Sequence, residues 1–225
     1  MRQVIVHPWK VSTKEAKRIQ EDLRSKLRLK NGFRKISRIA GVDTSFHGDW
    51  GYGTVAVFSY QNLELVEEVV VRGHLIYPYV PGLLSFREGP VLLKALEKVK
   101  NEPDILLVDG QGIAHPRGLG LASHLGILLN KPSIGCAKSL LVGEYEEPHR
   151  EKGSTSPLYY NGRRVGSVVR TRRDVKPLFV SPGHHIDIKT SVEIVLQCCK
   201  RFRLPEPIRW ADQASRKAKW GYRGK

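Results

Sequence analysis

Four acidic residues in this chain stand at places where carboxylates do chemistry rather than merely keep a surface wet. Asp109 closes Ile105 to Val108, four apolar residues bounded by turn formers, which read as a short, buried, parallel strand. A charge at the carboxyl end of such a strand, opening into Gly110 and Gly112, sits where open α/β sheets place their sites. Asp43 lies inside a strand spanning 36–46, and Glu88 lies in the opening turn of a helix spanning 85–100. If the strands of Asp43 and Asp109 are neighbours, the two carboxylates project side by side and Glu88 approaches them from the flank. Such a cluster repels itself unless cations neutralise it. Oxygen donors without a Cys or His set favour Mg²⁺ or Mn²⁺ over Zn²⁺. Beside a basic groove, that chemistry points to phosphodiester hydrolysis, in which metals lower the pKa of the attacking water and stabilise the leaving oxygen. Asp212, in R-W-A-D-Q on the last helix, either completes this set or simply pairs with Arg216 one turn on.

The elements that must hold these residues read as one α/β unit over 1–225. Ser12 and Glu15 form an S-x-x-E capping box that opens a helix to about Leu29. Strands at 36–46, 54–60 and 63–72 follow, the last two joined across Gln61-Asn62 at hairpin length. Two prolines three apart, Pro78 and Pro81, keep the next segment out of helix and central strand. Then come the 85–100 helix, the 105–108 strand, a helix over 119–129 and a strand over 132–137 that ends at Lys138. A hairpin flanks Asn161-Gly162, a strand covers 178–181, and helices cover 187–202 and 206 to about 220, with a frayed tail from Gly221 to Lys225. Three antiparallel strands followed by alternating helices and parallel strands, an inserted hairpin and extra terminal helices make a mixed sheet.

Composition narrows the partner. Among 225 residues, 38 Lys and Arg face 22 Asp and Glu, a net charge of +16, which predicts a polyanionic ligand and salt-sensitive binding. No stretch approaches membrane-spanning length and no leader pattern opens the chain, so a cytoplasmic protein without a membrane partner is expected. The cysteines, Cys136, Cys198 and Cys199, have neither metal spacing nor a paired framework. G-Q-G-I-A-H puts His115 where a dinucleotide fingerprint needs its third glycine, and Ser181 lacks the frame of a nucleophile elbow.

The blocks A-G-V-D-T-S-F, P-Y-V-P-G-L-L-S-F-R-E-G-P, D-G-Q-G-I-A-H-P-R, G-C-A-K-S and F-V-S-P-G-H, in this order, resemble the endonuclease V family, and E-P-I-R-W-A-D resembles its C-terminal helix. The resemblance implies a ribonuclease-H-like fold and a Mg²⁺-dependent endodeoxyribonuclease of DNA repair, with Mn²⁺ able to substitute. Its reaction would be hydrolysis of the second phosphodiester bond 3′ to deoxyinosine. Asp43, Asp109 and Glu88 are then metal ligands, and Asp212 a ligand or water-orienting group. Lys138 would meet the scissile phosphate as a point charge; paired with an acid instead, it would be structural. His115 would touch phosphate or water near the metals, or serve as a hydrogen-bonded turn histidine, while His124 is structural. Pro78, Tyr79, Val80 and Pro81 correspond to the family's wedge, whose aromatic tip replaces a base in the stack while the lesion swings out. Gly82, Leu84, Gly110, Gly112, Ile113 and Gly120 are the expected walls of the lesion pocket, since glycine lets a backbone approach closely. The basic set Arg216, Lys217, Lys219, Arg223 and Lys225 adds backbone attraction or is a solvated face. The substrate is DNA with deoxyinosine or another deaminated base, taken by a monomer. An inosine-specific endoribonuclease and a noncatalytic binder of damaged or branched nucleic acid are the rival readings.

Overall fold

The computed structural model describes residues 1–221; the predicted frayed end beyond Gly221 lies outside the described residues. Its strands are β1 (Arg38–His47), β2 (Trp50–Ser59), β3 (Leu65–His74), β4 (Ile105–Val108), β5 (Ser133–Ala137), β6 (Thr155–Tyr160), β7 (Arg163–Val169) and β8 (Leu178–His184). Its helices are α1 (Thr13–Arg24), α2 (Leu84–Lys98), α3 (Leu121–Leu129), α4 (Ile188–Cys198) and α5 (Glu206–Gly221). All the strands join one sheet in the order β3-β2-β1-β4-β5-β8-β7-β6. β1, β4 and β5 run parallel, and the remaining pairs are antiparallel. The predicted hairpin, β6–β7, is no separate insertion: through β8 it extends the same sheet.

The period-2 alternation of the central strands sorts the core into two layers. Ala40, Val42, Val55, Val57, Leu106 and Val108 pack on one face against α2 and α3. Ile39, Ala56, Phe58, Ile105, Leu107, Ile134 and Cys136 pack on the other against α4 and α5. That is why 105–108 is apolar at every position: it is covered on both sides. Two glycines set how close the helices come. A Cβ on Gly41 of β1 would lie 2.0 Å from the Pro207 carbonyl oxygen, so only glycine lets α5 rest its backbone on this strand. A Cβ on Gly53 of β2 would lie 2.8 Å from the Val91 carbonyl oxygen, and α2 gains its close seat in the same way.

Most element boundaries differ from the sequence reading by a few residues, β2 starting at Trp50 and β8 running on to His184 among them. α1 stops at Arg24 rather than Leu29, because the Ser25 hydroxyl donates to the Asp22 carbonyl (2.7 Å) and Leu27 N–H to Arg24 (3.1 Å), tightening the last turn. The β2–β3 link is longer than two residues: Ser59 N–H reaches Glu64 O at 2.9 Å, with Leu63 in the left-handed region at φ 56°. α4 ends at Cys198, four residues short of Phe202. The three cysteines are buried and free.

Candidate active site

The parallel register of β1 on β4 pairs Val42 with Val108, so the next residue on each strand, Asp43 and Asp109, stands abreast at the same end of the sheet. Asp109 N–H extends the pairing to the Val42 carbonyl at 3.0 Å. Glu88, in the second turn of α2, and Asp212, on α5, close the sides. Together with Thr44, Ser45, Phe46, Lys138, Arg216 and Lys219 they line a cleft of about 450 Å³. The condition that the sequence left open, adjacency of the two acid-bearing strands, is met.

The electrostatics of the cleft are those of a crowded acid set. Burial, then Asp109 and Asp212, push the Asp43 carboxyl up to about 7. Burial, then Asp43 and Asp109, hold Glu88 well above the usual carboxylate range. Lys138, just past β5, donates to Asp109 Oδ2. Burial works against the Lys138 charge, but Asp109 outweighs it and the ammonium pKa is raised. Arg203 donates to the Lys138 carbonyl at 2.7 Å and to Pro177 O at 2.7 Å, pinning the backbone that presents the lysine. Ser215 Oγ lies 3.3 Å from Asp43 Oδ2 and 2.9 Å from Asp212 O, tying α5 to the acid pair. Both readings of Asp212 hold at once: it lines the cleft, and its Oδ1 accepts from Arg216 Nε at 3.0 Å.

Among the described residues no three Asp, Glu, His or Cys side chains are already gathered closely enough to hold a metal ion. The cleft is nevertheless chemically suited to a hard divalent cation. Its donors are carboxylate oxygens, and two of them, Asp43 and Glu88, are held toward the protonated state by burial and mutual repulsion, the condition a cation relieves.

Beside the cleft, the loop between β3 and α2 builds a second site. Tyr77 is buried against Leu83 and Phe86, and its carbonyl accepts from Arg87 Nη1 at 2.8 Å. Two residues on, Tyr79 is 69% exposed, a protruding aromatic on an anchored base. Under it lies a narrow cavity of about 120 Å³ lined by Gln20, Tyr79, Val80, Pro81, Gly82, Leu84, Ser85, Gln111, His115, Gly120, Leu121 and Leu141. Of the residues expected as pocket walls, Gly82, Leu84 and Gly120 are here, while Gly110, Gly112 and Ile113 are not. Gly112 serves packing: a Cβ there would lie 2.1 Å from the Pro182 carbonyl oxygen, and its N–H donates to Ser181 Oγ at 2.8 Å. Gly110 follows Asp109 and faces Leu121 at ordinary contact distance. Ile113 lines a different groove with Arg24, Arg163 and Arg164.

Of the two readings of His115, its hydrogen bonds are those of the turn histidine. It lines the loop cavity and not the acid cleft. Its Nε2 donates to Gly82 O (2.9 Å), and its Nδ1 accepts from Arg117 N–H (3.2 Å), so both ring nitrogens are committed to the loop. Burial, then the Arg117 charge, lower its pKa to about 4. His124 is fully buried, bonded to Ser85 Oγ at 2.9 Å and to His7 Nε2 at 2.7 Å. Sequence reasoning missed Gln20, Ser85 and Gln111. The first arrives from α1 through tertiary packing, whereas Gln111 sat between the two glycines that were singled out.

A ribonuclease-H-like sheet with strand-borne acids, a lysine at their edge and a strongly basic chain defines a nuclease. The Endonuclease V family model matches residues 21–213. Endonuclease V of Dictyoglomus turgidum is 49% identical over 203 residues, covering 90% of this chain and 89% of that protein. The structure superposes on Endonuclease V of Bacillus subtilis with a TM-score of 0.94 at 32% identity, covering 100% of this chain and 99% of the other. It also matches Endonuclease V of Ciona intestinalis, solved with a 24mer DNA containing an inosine followed by a ribo-adenosine (TM-score 0.82, 30% identity, 93% of this chain and 98% of the other). This chain belongs to the Endonuclease V family and is a hydrolase, an endonuclease of DNA repair. Among the described residues no helix is long and apolar enough to cross a membrane.

Proposed function

We propose that the protein recognises deoxyinosine in DNA and hydrolyses the second phosphodiester bond 3′ to it, with Mg²⁺, or Mn²⁺ in its place. The observation that carries this reading is the loop after β4, which puts Asp109 in the acid cleft and Gln111 in the cavity under Tyr79. Two residues span at most about 7 Å of backbone. A base held in the cavity therefore keeps the adjoining backbone beside the acids.

Each site residue has a task. Tyr79 fills the gap in the base stack when the lesion leaves it, and its anchored loop is already ordered for that role. The cavity takes the extruded base, with backbone of the Gly82 and Gly120 turns at its walls. Asp43, Asp109 and Glu88 would hold the divalent cation, with Asp212 at the cleft's outer side. When bound, the cation supplies a water of lowered pKa and neutralises charge at phosphorus and on the leaving oxygen. Lys138 carries its charge to a phosphate oxygen, exchanging Asp109 for the substrate as the strand settles. Arg216 and Lys219 on the cleft rim attract the flanking backbone, a term that weakens with salt.

The test is cleavage of a labelled duplex carrying one deoxyinosine, with Mg²⁺ or with EDTA, alongside the matched RNA. A Mg²⁺-dependent product ending one nucleotide 3′ of inosine, formed faster on DNA, is expected. Faster cutting of the RNA would move the assignment to an endoribonuclease. Tight binding with no cutting of either would make the protein a binder.

A further inference from the structure

We propose that Gln111 is a specificity-determining residue, its side-chain carbonyl accepting a hydrogen bond from the ring N–H that deamination creates next to the new carbonyl of a base. The inference rests on the function proposed above and names the group that reads the base. Adenine presents a bare ring nitrogen beside its amine, an acceptor; hypoxanthine presents N–H beside C=O. Cytosine and uracil differ in the same way. The change common to deamination is thus acceptor to donor on the ring, and a reader of it must be an acceptor.

The polar side chains around the cavity can be accounted for one by one. Gln20 Nε2 donates to Gly82 O (3.1 Å) and Leu119 O (3.2 Å), and its Oε1 accepts from Arg117 Nε (2.6 Å), so it is fully engaged. Both His115 nitrogens are engaged as described. Gln111 Nε2 donates to Ser139 O at 3.2 Å; a carbonyl only accepts, which fixes the amide's orientation. Gln111 Oε1 is then left enclosed without a donor, on a residue only 8% exposed. A buried acceptor without a partner is costly unless something supplies one.

Ser85 has the same polarity. Pro8 O can only accept, so His7 Nδ1, 2.9 Å away, carries the proton. Burial lowers the pKa of His7 and of His124, so both rings are neutral at pH 7. His7 Nε2 is therefore bare and accepts from His124 Nε2–H at 2.7 Å. His124 Nδ1 is then bare in turn and takes the Ser85 hydroxyl proton at 2.9 Å. Ser85 can offer the cavity only lone pairs. Donors for a base carbonyl come instead from the start of α2, where Leu83 supplies no side-chain cap and Leu84 lines the cavity. Donor main chain at Leu84 and the Gln111 acceptor, both from residues that line the cavity, complement the C=O and N–H of a lactam.

Binding in EDTA to duplexes holding one deoxyinosine, one deoxynebularine (the same purine with a bare ring nitrogen and no carbonyl) or no lesion tests this. The wild type should prefer inosine to nebularine. Gln111→Met, similar in length but with only a weakly accepting thioether, should lose about tenfold in affinity for inosine and nothing for nebularine. Gln111→Leu should do the same, and an unchanged melting temperature for either variant shows that it folds. A variant that keeps the full inosine preference, or that weakens both lesion duplexes equally, overturns the assignment. A wild type that binds inosine no better than undamaged duplex overturns instead the function on which it rests.

Discussion

The acid cleft and the loop cavity share the β4–α3 loop, yet they are built on opposite principles. In the cleft, strand register forces Asp43 and Asp109 together and α2 adds Glu88, so like charges are held where they repel. In the cavity nearly every polar atom is already paired: Gln20, His115 and Arg117 form a closed set around Gly82 O. One site keeps an electrostatic debt for a cation to settle; the other binds its polar groups to one another and leaves the enclosed Gln111 Oε1 without a donor. Chemistry needs the first arrangement and discrimination the second.

Substitutions that separate the two sites test this contrast most strongly. Asp109→Ala should reduce cleavage of an inosine duplex by about 10³-fold or more while leaving lesion affinity within about threefold, measured by single-turnover cutting and by anisotropy. A comparable loss of binding would mean that the sites are not separable. Tyr79→Ala should do the converse, weakening lesion binding by about 1–3 kcal/mol. Cleavage at saturating enzyme should stay close to wild type.

Asp43→Asn probes the repulsion itself. The Asp43 carboxyl, normally near 3.8, is held up to about 7 in the fold, so the folded chain binds its proton more tightly than the unfolded chain does. The penalty for ionising it is absent below about pH 4 and grows as pH rises through 7. In EDTA, Asp43→Asn should therefore raise stability by roughly 1–3 kcal/mol at pH 8 and by nothing at pH 4, while abolishing cleavage. An equal effect at both pH values would show that the carboxylate is not under electrostatic load.

His115 gives the smallest effect and the opposite sign. Its pKa is lowered to about 4 from 6.5, so the neutral ring's contribution is complete above pH 6.5 and is lost as pH falls toward 4. His115→Gln should flatten this part of the acid unfolding curve by about 1 kcal/mol. An unchanged acid limb would remove His115 from the neutral network.

How much of this was legible depends on whether a residue's role is local. The strand 105–108 and the hairpin turn at Asn161-Gly162, with φ of 51° and 70°, followed from patterns of a few residues. So did the capping of α1, where Glu15 N–H donates to Ser12 Oγ at 3.2 Å. The acids were visible as carboxylates at a strand end (Asp109), inside a strand (Asp43), in a helix's opening turn (Glu88) and on the last helix (Asp212), but their convergence depended on a neighbour relation that periodicity does not encode. The pocket walls were only half legible. Glycine was read as a sign of ligand approach at Gly110 and Gly112, yet Gly112 is required by the backbone of β8.

By itself, then, the sequence determined the alternation that makes a two-faced sheet, the basic excess that selects a polyanion, and the motif set that places the chain in its family. Tertiary structure alone decided that β1 lies beside β4, which turns two separate aspartates into a site. It also decided that His115 belongs to the cavity and that Gln111 Oε1 has no donor. The physical reason is that local patterns fix which face a side chain takes. Which groups meet, and which are left unpaired, is set by contacts between segments tens to hundreds of residues apart.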